Sequence, residues 1–93
     1  VSPSEDLLKL WARVEGHLRG ALSVVEVDAS TRRMSEEFLD HNELGLAFQT
    51  LVGALADGGT TPPPAAHTHL AAAAAEMSLQ DDPDWRRLNS PGG

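Results

Sequence analysis

The sequence predicts an all-α fold, a small bundle of four helices plus a short C-terminal helix. Three observations predict it. Apolar residues recur at the 3.6-residue spacing of helices, in separate stripes. Boxes of the Ser/Asp-x-x-Glu kind, from Ser2 to Glu5, Ser23 to Glu26 and Asp40 to Glu43, stand where helices would start. Gly58-Gly59 and Pro62-Pro63-Pro64 then punctuate the chain. Its 93 residues amount to one domain. The helical domain is expected over residues 1–89, with Ser90-Pro91-Gly92-Gly93 as a disordered tail.

Ser2 as cap, Pro3 in the first helical position and Glu5 would open the first helix. Leu7, Trp11, Val14 and Leu18, with Leu10 alongside, make its apolar stripe, and Gly20 reads as its terminator. Residues 21–27 are valine-rich, which suits a short strand as well as a helix. The preferred reading is a helix opened by Ser23-Val24-Val25-Glu26, with Val24, Val27, Thr31, Met34 and Phe38 on one face. Arg32 with Glu36, and Arg33 with Glu37, would then be outward i,i+4 pairs. The other reading is irregular to Asp28 and starts the helix near Ser30, setting both arginines against the helix dipole.

This second helix should end within residues 39–42, because Asp40, His41 and Asn42 are poor interior residues. Leu44, Phe48, Leu51, Val52 and Leu55 then form the clearest amphipathic pattern in the chain. Gly45 reads as a site of close helix approach beside Ala47, and Gly58-Gly59 as the stop. A stiff connector, Thr60-Thr61-Pro62-Pro63-Pro64, leads into an alanine-rich helix near residues 65–79, which Pro64 can begin. Its inner stripe would be Leu70, Ala73, Ala74 and Met77, small residues that demand close packing. Asp82-Pro83-Asp84-Trp85 reads as cap, first position and first turn of the short last helix. The predicted core holds Trp11, Phe38, Phe48, Leu51, Leu55 and Leu70.

Charge narrows the function. The chain carries 14 carboxylates against 7 basic side chains, a net charge of −7. No Lys or Arg lies between Met34 and Trp85, a span holding Glu36, Glu37, Asp40, Glu43, Asp57, Glu76, Asp81, Asp82 and Asp84. Such a surface repels nucleic acid and anionic membranes and favours capture of a basic protein. An acidic surface also simply keeps a protein soluble. No cysteine is present, which excludes disulfides and thiolate chemistry and fits a reducing compartment. Neither a membrane-length apolar run nor a signal-peptide pattern is visible, so a cytoplasmic location is expected.

The residues offer little catalysis. His67 and His69 are two apart and diverge on a helix, while His17 and His41 stand alone, so solvent-facing histidines and no metal are expected. Asp81, Asp82 and Asp84 lack the glycine and distal glutamate of a calcium loop. No metalloprotease helix, nucleophile elbow or phosphate loop is present. The expectation is a non-enzyme without a cofactor. Asp40-His41-Asn42-Glu43 has capping-box spacing, which would occupy both carboxylates structurally and still leave them able to bind.

Phe38-Leu39-Asp40-His41-Asn42-Glu43-Leu44-Gly45-Leu46-Ala47-Phe48 resembles the Asp-x-x-Glu-x-Gly-Leu-Ala core of MafI-type immunity proteins. A looser likeness extends through Leu51, Leu55, Met77, Leu79 and Trp85. The first helix and the valine segment add nothing to it. The resemblance implies a small, acidic, helical protein that neutralises a bacterial polymorphic toxin, often a nuclease, by direct contact. On that reading a basic toxin domain meets Glu36, Glu37, Asp40, Glu43, Asp81, Asp82 and Asp84. The alternative is a small helical adaptor or scaffold that pairs through an apolar groove with another helix or with itself, as a homo-oligomer.

Overall fold

The computed structural model describes residues 4–89. Five helices make up its regular structure: α1 (Glu5–Val24), α2 (Ala29–Asp40), α3 (Leu44–Asp57), α4 (Pro64–Met77) and α5 (Pro83–Asn89). This is the all-α bundle of four helices and a short fifth that the sequence predicts. α1 packs chiefly on α4, and α2 on α3. α3 touches every other helix and so forms the spine of the bundle.

The core follows from the stripes. Val14, Leu18, Ala21 and Leu22 enter it from α1, and Phe48, Leu51, Val52 and Leu55 from α3. Ala66, Leu70, Ala73 and Ala74 complete it from α4, where small side chains let α1 approach closely. Trp85 of α5 closes one end, its ring 5.9 Å from that of Phe48 and 5.2 Å from that of His67. Trp11 and Phe38 are only partly buried, a correction to the predicted core. Met77 likewise packs at the margin.

The α1–α2 boundary differs from the preferred reading. Gly20 does not end α1, which continues to Val24. Its lack of a side chain serves packing instead, since a Cβ there would lie 2.8 Å from His69 Nε2. Ser23 opens no helix, and its hydroxyl donates to the Gly20 carbonyl at 2.7 Å. Val24 and Met34, placed on an inner face by that reading, are exposed. The true cap is Asp28, whose carboxylate accepts the Thr31 N–H at 2.7 Å. The expected pairs of Arg32 with Glu36 and of Arg33 with Glu37 do not form. Arg32 turns back and donates to the carbonyls of Leu22 (2.9 Å) and Val25 (3.1 Å). Its charge opposes the dipole of α2 but satisfies the carbonyl end of α1.

Ser4, not Ser2, caps α1 by accepting the Leu7 N–H at 3.2 Å, which puts Glu5 in the first turn rather than in a capping box. Ser2, Pro3 and the expected 90–93 tail lie outside the described residues. α2, α3 and α4 all end in the same way. A residue in the left-handed region, Asn42, Gly59 or Ser78, turns the chain. The next N–H then reaches five residues back, from Glu43 to Phe38 (2.8 Å), Thr60 to Leu55 (3.0 Å) and Leu79 to Ala74 (2.8 Å). α5 starts as predicted, with Asp82 accepting from the N–H groups of Asp84 and Trp85 at 3.0 and 3.1 Å.

Candidate functional site

The α2–α3 corner is built by that first left-handed turn. The Glu43 N–H is committed to the Phe38 carbonyl, so it cannot serve Asp40 as a capping box would require. Asp40 is the last residue of α2, and its carboxylate accepts from Arg19 at 3.0 Å. Glu43 occupies the cap position of α3 without making a side-chain cap bond. The expected structural role of this pair is therefore overturned, and the physical reason is competition for one backbone donor.

Folding divides the acidic span into two groups. Arginines from outside it come back to neutralise one group. Arg13 meets Glu76 at 3.2 Å, and Arg19 joins Asp40 to Glu15. Arg87 spans Asp57 (3.2 Å) and Asp84 (2.9 Å). Hydrogen bonds donated to Glu15 first and Asp40 second hold the Arg19 guanidinium above its usual range, as those donated to Asp57 and then Asp84 do for Arg87. Asp82 is engaged as the α5 cap. Glu36, Glu37, Glu43 and Asp81 are exposed and form no ion pair among the described residues. Of the seven residues expected to bind a partner, three of these four free ones sit at the α2–α3 corner. Asp81 stands apart, at the turn before α5.

Two concavities flank the corner. On one side lies an acidic hollow of about 220 Å³, lined by Glu37, Phe38, His41 and Glu43. On the other is an open cleft of about 330 Å³ between α1, α3 and α4. Leu10, Trp11, Val14, Leu44 and Met77 make it apolar, with Asn42, Gly45 and Glu76 at its margin. Gly45 makes no close helix approach, because a Cβ there would meet nothing within 4 Å. The sequence reading missed this cleft. Its only local signal was a glycine in a first helical turn with no packing reason to be there.

The histidines also fall differently from expectation. His17 and His69 meet across α1 and α4 with their Nδ1 atoms 3.1 Å apart, so one ring donates and the other accepts. Their centroids are 5.4 Å apart, a head-to-head contact and not a stack. His67 donates to Asn89 Oδ1 at 2.7 Å while lying against Trp85, and His41 donates to the Glu37 carbonyl at 2.9 Å. Only His41 is solvent-facing. No group of three or more potential metal ligands assembles among the described residues. No helix among them is long and apolar enough to cross a membrane. No family model matches the chain, and neither the curated proteins nor the solved structures contain a match to it.

Proposed function

We propose that this protein is a cytoplasmic immunity protein that neutralises a bacterial toxin by covering a basic surface of its toxic domain. The observation that carries the reading is the α2–α3 corner, where Glu36, Glu37 and Glu43 remain exposed and form no ion pair among the described residues, while Arg19 is taken by Asp40 and Glu15. A nuclease is the toxin class that such a corner suits. A nuclease needs a basic surface for phosphates, and an acidic protein can occupy that surface in their place. The resemblance of the Phe38 to Phe48 segment to MafI-type immunity proteins supports the same reading, since that segment is the corner. The role is one of binding, without a catalytic step or cofactor. The test is protection. The protein encoded in the adjacent reading frame is produced in cells with and without this protein, and complex formation is measured with the purified pair. Survival with the protein and killing without it is the expected result. Killing in both cases, with no complex, removes the reading.

A second reading has its own observation. The open apolar cleft, with Leu7 and Leu8 exposed on α1 near it, also suits a helical adaptor or a self-associating scaffold. Sedimentation equilibrium separates the two. A concentration-dependent dimer without toxin binding favours the scaffold.

A further inference from the structure

The acidic hollow and the apolar cleft draw their linings from the same turn, His41 and Glu43 for the hollow and Asn42, Leu44 and Gly45 for the cleft. We infer that this turn is a two-point docking site, which takes a large apolar side chain of a partner protein in the cleft and an arginine of the same partner in the hollow. The inference rests on the proposed reading for the basic character of the partner and adds which side chains it presents.

The hollow has arginine chemistry. Glu37 and Glu43 line it together with Phe38 and His41. A guanidinium offers a planar fork of donors to carboxylates and a flat cation to an aromatic face; a lysine ammonium matches the first less well. Neither glutamate forms an ion pair among the described residues. In the cleft, by contrast, Glu76 already has Arg13 at 3.2 Å. The cleft therefore suits an uncharged, apolar occupant. Its floor is the half-buried Trp11 with Leu10 and Val14, and Leu7 extends the same face one turn further along α1. Gly45 is the second indication. It disfavours the helix relative to alanine, has no left-handed backbone to excuse it and no neighbour within 4 Å to require it. Gly16 shares that freedom but stands on the exposed side of α1, away from both concavities. A side chain at position 45 would project where the partner's apolar group is placed.

The test uses the full chain, 15N-labelled, and capped peptides that carry one leucine and one arginine separated by one to four glycines. Controls replace leucine with serine, or arginine with lysine or citrulline. At the best spacing, shifts are expected at the Trp11 indole and the Gly45 amide together with Phe38 and His41, while the Trp85 indole stays still. That peptide should bind about tenfold more tightly than its serine and citrulline controls. Gly45→Leu should remove the advantage of leucine, and Glu43→Gln the advantage of arginine. Gly45→Ala, which favours the helix, should act in the same direction as Gly45→Leu but less, and thermal melts of all three variants report the fold. Equal binding of every peptide, no binding at millimolar peptide, or shifts confined to other surfaces would overturn the docking site. The adjacent toxin separates this from the immunity reading. Toxin binding that Gly45→Leu and Glu43→Gln leave unchanged rejects the docking site alone. Leucine–arginine peptides that dock while the toxin does not bind reject the immunity reading alone.

Discussion

The two ends of the acidic span look equivalent in sequence and are unlike in the fold. Near α5, Asp82 caps a helix and Asp84 shares Arg87 with Asp57, which leaves Asp81 as the free charge. At the α2–α3 corner, Asp40 is paired, but Glu36, Glu37 and Glu43 are not. The difference teaches that a run of carboxylates measures potential charge only. Folding brings back arginines from distant positions and assigns backbone donors, and what it leaves unassigned is the charge available to a partner.

The comparison depends on α3, which joins both ends, and the largest expected effect lies there. Phe48 is fully buried and holds Trp85 of α5 against the spine. Phe48→Ala should cost about 3–5 kcal/mol, enough to unfold most of a domain this small, as measured by urea denaturation. Retention of a cooperative, wild-type transition would show that α3 is not the element holding the two ends in place.

The sharpest contrast is between two acidic residues at helix starts. Asp82→Ala should lower stability by about 0.5–2 kcal/mol through loss of the α5 cap. Glu43→Ala, which removes no cap bond, should stay within about 0.5 kcal/mol of wild type. The reverse order in denaturant midpoints would invert the assignment of structural and spare carboxylates. Asp40→Ala should fall between the two, below about 1 kcal/mol, since it loses only an exposed pair with Arg19.

A carboxylate used by the fold should also titrate as one. Hydrogen bonds from Thr31, through its side chain first and its backbone second, hold the Asp28 carboxyl below its usual range. A folded value below the unfolded one gives stability that is present above the unfolded value and is lost as pH falls through the folded one. Relative to Asp28→Asn, which caps without titrating, the wild type should therefore lose stability from about pH 5 downward. Parallel pH–stability curves for the two proteins would contradict the assigned cap.

The same contrast explains what was legible in the sequence. The α3 stripe, the proline start of α4 and the Asp82 cap were all readable, because each is decided by residues within one or two turns. The α1–α2 boundary was not. Gly20 looks like a stop, and only His69, 49 positions away in the chain, shows why a glycine continues the helix there. Two capping boxes, at Ser23 and Asp40, were false; Ser23 lies inside α1, and at Asp40 the donor is engaged elsewhere. The pattern names an acceptor and a donor but cannot tell that the donor is already taken, as the Glu43 N–H is by Phe38. Of the candidate site, the sign of the charge was legible. Which carboxylates stay free, and the cleft beside them, depended on tertiary neighbours.

The central claim is that free carboxylates at the α2–α3 corner capture a basic toxin domain. Its most direct test is the association rate with the toxin of the adjacent reading frame, followed by stopped flow across a range of salt. Glu36→Lys/Glu37→Lys is compared with Asp57→Lys/Asp81→Lys, two double reversals that change net charge equally. The corner reversal should slow association about tenfold or more and flatten its salt dependence, while the other should act more weakly. Equal slowing by both, or a larger effect from Asp57→Lys/Asp81→Lys, would contradict the corner as the point of capture.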